Sequence, residues 1–123
     1  MDRAAFLAAA AAAAPTQLQR VDLPGFPEPV YLRRMTVSEM RKLAEDVAAE
    51  KERGAAAMPD AVSVAVFARD ETGALLFDRG DVASMTELQA VLDRADYGIV
   101  QVLMQAAGKL DEPKSGEVDE AGN

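Results

Sequence analysis

The sequence predicts a small α+β domain that is mainly helical, with a β-hairpin near its N-terminus. Two short runs that favour strands, Leu18–Leu23 and Val30–Leu32, enclose a loop with three prolines. A capped amphipathic helix follows from Thr36. Two further runs with helical spacing occupy the last third of the chain.

The composition limits the core and excludes several classes of site. The chain has 123 residues, half of them hydrophobic, but only 5% are aromatic and there is no tryptophan. One domain with an aliphatic and alanine-rich core is therefore expected. The absence of cysteine and histidine excludes disulfides, thiolate nucleophiles, Cys/His zinc sites and Ser-His triads.

The net charge of −8 argues against partners that are themselves anionic. Nucleic acids and anionic membranes both attract Lys and Arg, so we expect neither as a partner. Five acids and one base in Asp111–Glu120 carry half of this charge. Because this segment is polar and has no apolar stripe, we expect residues 111–123 to form a disordered acidic tail.

The first helix is expected over Arg3–Ala14. Asp2 can cap it, and Pro15 ends it because the residue before a proline avoids the helical region. Its alanine run is too short to span a bilayer and lacks the leucines of a secretory signal, so we interpret it as a helix. Phe6 and Leu7 are its large apolar residues, and the helix either docks through them or frays.

The segment Leu18–Leu32 favours a hairpin with a five- or six-residue loop. An extended, proline-rich arm is the alternative. In the helix that follows, Thr36 and Glu39 form a capping box, and Gly54 suits its C-terminal end. Its apolar residues recur at helical spacing, so we expect the stripe to be buried; the stripe consists of Val37, Met40, Leu43, Ala44, Val47 and Ala48. On this basis Leu43→Asp or Val47→Asp would destabilise the fold by several kcal/mol.

The segment 61–69 is ambiguous, because its valines alternate as in a strand while the residues between them are also apolar. A buried helix capped by Asp60 is the alternative. After it we expect a turn at Asp70–Gly73, a short extended piece, and a helix capped by Asp81 or Thr86. A final helix carries one apolar stripe made of Ile99, Leu103, Ala106 and Leu110.

Carboxylates are the available catalytic or metal-binding groups. Asp70, Glu71, Asp78 and Asp81 cluster around one turn, but the EF-hand spacing is missing, so a turn plus a helix cap is the favoured interpretation. Arg33-Arg34 is better explained as charge on an edge strand than as a phosphate contact. We therefore predict no catalytic, cofactor-binding or metal residues, no cofactor, and no enzymatic activity.

Two motifs resemble those of tail assembly chaperones of long-tailed, siphovirus-like bacteriophages and prophages. Val30–Glu39 is similar to the family's "VyvRemtvaE" entry into its first long helix. Asp70–Phe77, followed by Asp81-Val82, is similar to its "DEdGkpLF…eDv" stretch. The resemblance spans residues 3–110 and includes the alanine-rich helix and the proline-containing hairpin. The departures are Gly80, where the family usually has an acid, and Ala95–Gly98, which leaves open whether the last two helices are continuous.

The resemblance implies a non-enzymatic role for a single domain, residues 1–110. Such proteins bind the long helical tape measure protein, keep it soluble in the cytoplasm of the bacterial host, and help to recruit tail-tube protein. Many also have a longer form made by ribosomal frameshifting, and this chain would be the short form. The alternative is a structural phage protein, a head–tail connector or tail-completion protein, that stays in the particle. Wide apolar stripes on so short a chain also predict a homo-oligomer.

Overall fold

A computed structural model describes residues 1–111, and it confirms a small α+β domain dominated by helices. The order of its elements is α1 (Arg3–Ala12), β1 (Gln19–Val21), β2 (Val30–Leu32), α2 (Val37–Arg53), α3 (Pro59–Phe67), α4 (Val82–Leu92) and α5 (Gly98–Asp111). A short 3₁₀ turn, Gly54–Ala56, follows α2. Asp111 ends α5, and the rest of the predicted tail, 112–123, lies outside the described residues.

The predicted hairpin is confirmed. β1 and β2 pair in antiparallel fashion, with Gln19 opposite Leu32 and Val21 opposite Val30. Each strand is only three residues long, so the loop between them, residues 22–29, is longer than the five or six residues expected. The prolines explain this difference, since a proline has no N–H with which to continue the strand pairing.

The core lies between the hairpin and two helices. Val21, Leu23, Val30 and Leu32 of the hairpin segment pack against Val64 and Ala68 of the α3 segment and against Leu103 and Ala107 of α5. Leu32 and Leu103 are fully buried. A second, smaller cluster joins Ala61 and Ala65 of α3 to Met85 of α4. The expected final helix is confirmed in α5. Of its predicted apolar stripe, Leu103 is buried, and the other three residues are half-buried: Ile99, Ala106 and Leu110.

The ambiguous segment 61–69 is helical up to Phe67. Pro59 fills the first helical position, where its missing N–H leaves no bond unmade. Asp60, the cap residue in the helical alternative, is not the N-cap. The cap residue is Met58, whose side chain accepts no capping bond, and the Ala61 N–H donates instead to Gln89 Oε1 of α4 at 2.9 Å. The alternating valines could not distinguish a strand from a helix, because Ala65 between them and Ala61 and Ala68 on either side are buried as well.

Most of the predicted helix ends are confirmed. Asp2 accepts a hydrogen bond from the Ala5 N–H at 2.8 Å, although α1 ends at Ala12, two residues early. Asp81 accepts from the Ser84 N–H and so caps α4, while Thr86 lies inside that helix. Residues 93–97 separate α4 from α5, so the last two helices are not continuous.

The predicted burial of the α2 stripe is wrong. Every residue of α2 is exposed or half-buried. Val37 is 80% exposed, Met40 46% and Val47 43%, and Leu43 is only half-buried. The helix forms as predicted, with both hydrogen bonds of the capping box, but its apolar stripe does not face the core.

Candidate interaction surface

The helix α2 lies against the rest of the domain through mainly polar side chains. Glu39, Leu43, Asp46 and Glu50 follow one another at helical spacing, so they share one side of α2. All four are half-buried, whereas their neighbours on the adjoining sides are exposed. The side of α2 that faces the domain therefore carries three carboxylates and one leucine.

Glu39 is the most highly connected of these carboxylates. The Arg33 guanidinium donates to both of its oxygens, to Oε1 at 2.8 Å and to Oε2 at 3.0 Å. Arg69 donates to Oε2 at 2.9 Å, and the Thr36 N–H donates to Oε1 at 2.9 Å. The bond to Thr36 closes the capping box, so one side chain both begins α2 and attaches it to the domain.

Both the side chain and the backbone of Arg69 are hydrogen-bonded. The residue is 7% exposed, and besides Glu39 its side chain donates to the Gly73 carbonyl oxygen at 2.7 Å. Its backbone exchanges two hydrogen bonds with Tyr31 of β2, both at 2.9 Å. Arg69 also bridges to Leu75 on its other side, so the pairing of the hairpin extends through it. Glu39 thereby binds a rigid part of the fold.

This environment lowers the pKa of Glu39 to about 2, from an ordinary value of 4.5. Partial burial acts in the opposite direction, because it disfavours the charged carboxylate. The hydrogen bonds from Arg33 and the Thr36 N–H, with the positive charges of Arg33 and Arg69, outweigh it. Glu39 is therefore ionised throughout the physiological range.

Two further carboxylates attach the middle and the end of α2. Asp46 Oδ2 lies 2.7 Å from Nη1 of Arg79, a close ion pair whose angles do not form a hydrogen bond, and Lys42 lies 3.3 Å from Oδ1. Glu50 Oε2 accepts from the Met58 N–H at 2.6 Å. That N–H belongs to the residue before α3, so Glu50 also connects the two helices.

These polar attachments turn the apolar side of α2 toward solvent. Its exposed residues occur at the spacing i, i+3, i+7, i+10 and i+11, so they share one side of the helix. We call this surface the apolar face of α2; it consists of Val37, Met40, Ala44, Val47 and Ala48. A contiguous exposed apolar surface often marks a site that another molecule covers.

The helix α1 is a second exposed apolar element. Every one of its residues is exposed, including Phe6 at 62% and Leu7 at 51%. Of the two predicted alternatives, docking through these two side chains is not seen within residues 1–111 of one chain.

The acidic turn makes ordinary local hydrogen bonds. Asp70 Oδ1 accepts from the Thr72 N–H, the Thr72 hydroxyl and the Ala74 N–H, and the Thr72 bonds lower the pKa of Asp70. Bonds from Ser84 likewise lower the pKa of Asp81. The interpretation as a turn plus a helix cap is confirmed. Within residues 1–111, no three carboxylates are grouped so as to hold a metal ion.

Comparison of the chain with protein-family models, with curated proteins and with solved structures finds no match. In residues 1–111, no helix has the length and apolar character that crossing a bilayer requires.

Two of the residues that attach α2 to the domain were not identified from the sequence. Arg33 was interpreted as an edge-strand charge, yet it binds Glu39. Arg69 was not singled out, although it ends an otherwise apolar run. A buried arginine needs an acidic partner, so its position could have indicated an ion pair with an acid elsewhere in the chain.

Proposed function

We propose that this protein is a tail assembly chaperone of a long-tailed phage or prophage, and that it binds the tape measure protein through the apolar face of α2. The observation that carries the proposal is the exposure of that face on a helix whose other side is held by carboxylates. The motif Val30–Glu39, one of the two on which the resemblance depends, contains Arg33, Thr36 and Glu39, which build this attachment.

The chemistry of the face suits a helical client. Valine and alanine leave a shallow surface, against which another helix can pack closely. Met40 adds a flexible and polarizable side chain, which adapts to different apolar partners. Recognition of an amphipathic helix by such a surface depends on apolar contacts at helical spacing, and a long helical client offers many of these.

The polar attachment of α2 explains how an apolar face can stay available. If α2 were held by its valines and methionine, those side chains would be buried and no client could reach them. Holding the helix by Glu39, Asp46 and Glu50 leaves the apolar side free. The negative charge of the chain then keeps crowded complexes apart, and we propose that the acidic residues 111–123 contribute to this.

The other parts of the proposal follow from the same role. A chaperone of this kind acts in the cytoplasm of the host, is not an enzyme, and helps to bring tail-tube protein to the coated tape measure protein. It is then released, so it should be missing from purified virions. A head–tail connector or tail-completion protein would instead be found in them.

Co-expression with the tape measure protein tests the proposal. The wild-type chain should raise the soluble fraction of the client, and Val47→Glu should lose this effect because it places a charge on the apolar face. Val91→Glu is the matched control, because Val91 of α4 is similarly exposed, at 51%, on a different helix. If wild type does not improve client solubility and the protein is found in virions, the structural alternative replaces the chaperone.

Truncation to residues 1–110 tests the acidic tail in the same assay. The truncated chain should fold normally, since the core residues precede the truncation. It should keep less client soluble than the full chain, and the difference should shrink as salt screens repulsion between tails. Equal protection by both forms would remove the tail from the proposed role.

A further inference from the structure

We propose that α1 of one copy of this chain packs on the apolar face of α2 of a second copy, so that free chains form a dimer by reciprocal exchange of this helix. This proposal rests on the proposed function in one respect, since it makes α1 a competitor of the client for the same face.

The first observation is that α1 buries none of its side chains in the described part of its own chain. It has ten residues, and isolated helices of this length are marginal in water even when they are rich in alanine. Its stability must therefore come mainly from packing against something else. Phe6 and Leu7, both more than half exposed, are the side chains that would make that contact.

The second observation is that the two surfaces match in length and pair small side chains with large ones. Ten residues of α1 span about 15 Å, and the apolar face of α2, from Val37 to Ala48, spans roughly 17 Å at 1.5 Å per residue. The alanines of α1 allow close approach to Met40 and Val47. The large side chains of α1 in turn fit beside the small Ala44 and Ala48 of α2.

The third observation is that the pairing is not made within one chain. Both surfaces are exposed in the same molecule, and residues 13–18, which include the rigid Pro15, lead from α1 directly into β1. A second copy offers the same two surfaces. Exchange under two-fold symmetry then forms two identical helix contacts, which gives the dimer twice the interface of a single docking event.

The arrangement also regulates access to the face. In the absence of client, α1 of the partner covers valines and a methionine that would otherwise promote aggregation. A client that binds the same face must displace α1. Because two ligands that exclude one another lower each other's apparent affinity, client should dissociate the dimer and the dimer should weaken client binding.

Directed disulfide cross-linking tests the pairing, since the chain has no cysteine of its own. One variant carries Leu7→Cys and another carries Ala44→Cys, and the two are mixed under mild oxidation. A covalent dimer that contains one chain of each kind should form rapidly. The control mixture of Leu7→Cys with Val91→Cys should cross-link much more slowly, because Val91 lies on α4.

Three results would overturn the proposal. One is equal cross-linking of the test and control mixtures. Another is the absence of mixed dimers together with an internal disulfide in the double variant Leu7→Cys/Ala44→Cys, which would place α1 on its own α2. The third is a wild-type chain that stays monomeric by light scattering up to high concentration.

Equilibrium sedimentation gives an independent measurement without client. Phe6→Glu and Val47→Glu should each raise the dimer dissociation constant about tenfold or more, because each places a charge in the proposed contact. Val91→Glu should leave it unchanged. Both experiments use the protein alone, so a dimer that forms as proposed while the tape measure protein stays insoluble would refute the chaperone role and not the exchange.

Discussion

Arg69 donates a hydrogen bond to Glu39 at 2.9 Å across thirty residues of sequence, and this bond joins the end of the α3 segment to the start of α2. The pair is asymmetric in burial, because Arg69 is almost completely buried while Glu39 remains partly exposed. The arginine therefore depends on the glutamate for charge compensation more than the glutamate depends on the arginine.

Glu39→Gln should lower the free energy of unfolding by about 1–3 kcal/mol, less than for a fully buried pair because Glu39 is partly exposed. The variant keeps the shape of the side chain but removes the negative charge that Arg69 and Arg33 bind. Urea unfolding followed by circular dichroism measures the change. Glu45→Gln, on the exposed side of α2, should change stability by less than about 0.5 kcal/mol; equal effects of both variants would contradict the role of Glu39.

The lowered pKa of Glu39 predicts a specific acid sensitivity. Since the pKa is about 2 in the folded chain and 4.5 ordinarily, the stabilisation is fully present above pH 4.5 and is lost as the pH falls toward 2. Asp70 and Asp81 also have lowered pKa values and act in the same direction. The stability of the Glu39→Gln variant should therefore fall less steeply with pH than that of wild type. Parallel pH profiles would show that Glu39 contributes nothing to the acid response.

The fold could be predicted from the sequence where local signals were strong. The capping box of Thr36 and Glu39, the Asp81 cap and the proline-rich hairpin each depend on residues close together in the chain, so their chemistry is visible in the sequence. The orientation of α2 could not be predicted in this way. Its amphipathic pattern indicates which side is apolar but not whether the domain covers that side.

The ion pairs that attach α2 could not be predicted either, because they also depend on tertiary packing. The attachment of α2 depends on Arg69 and Arg79, which lie thirty or more residues after Glu39 and Asp46. Pairing over such distances is set by tertiary packing, and the sequence contains many acids and bases that could pair otherwise. The expectation of a buried stripe followed the usual rule for a helix of a globular domain. In this chain the domain contacts the side of α2 that carries Glu39, Asp46 and Glu50 instead.

Val47→Asp should leave the stability of the monomer within about 0.5 kcal/mol of wild type, in contrast to the effect expected from the sequence. The side chain is 43% exposed, so the new carboxylate stays hydrated. Thermal unfolding should be followed at concentrations low enough to keep the chain monomeric. A loss of several kcal/mol there would show that the apolar face is covered within one chain.

Leu103→Ala should destabilise the fold by about 2–5 kcal/mol, because it leaves a cavity where α5 meets the hairpin. Leu103 is fully buried in the main cluster beside Leu32. Val91→Ala, which removes apolar atoms from an exposed site, serves as the control and should cost little. Chemical denaturation of both variants measures the difference, and similar midpoints would contradict the assignment of Leu103 to the core.

Gln89 provides the most discriminating test of the contact between α3 and α4. Its Oε1 accepts from the Ala61 N–H, while its Nε2 donates to Asp60 at 3.1 Å and to Asp93 at 2.8 Å. Gln89→Met removes both the acceptor and the donor. It should therefore lower the free energy of unfolding by about 1–2 kcal/mol, and this loss should be similar at every pH. Gln89→Glu retains an acceptor for Ala61 but places a third carboxylate beside Asp60 and Asp93.

The penalty of Gln89→Glu should therefore be electrostatic. Repulsion raises the pKa of the new carboxyl group above its ordinary value, so the penalty is present at neutral pH and disappears as the pH falls below that value. Added salt should reduce it at neutral pH, because these groups lie near the surface. Unfolding of both variants at two pH values and two salt concentrations distinguishes an electrostatic penalty from a loss of packing. If the penalties of Gln89→Glu and Gln89→Met vary in parallel, the loss arises from packing and Gln89 does not bridge the two carboxylates.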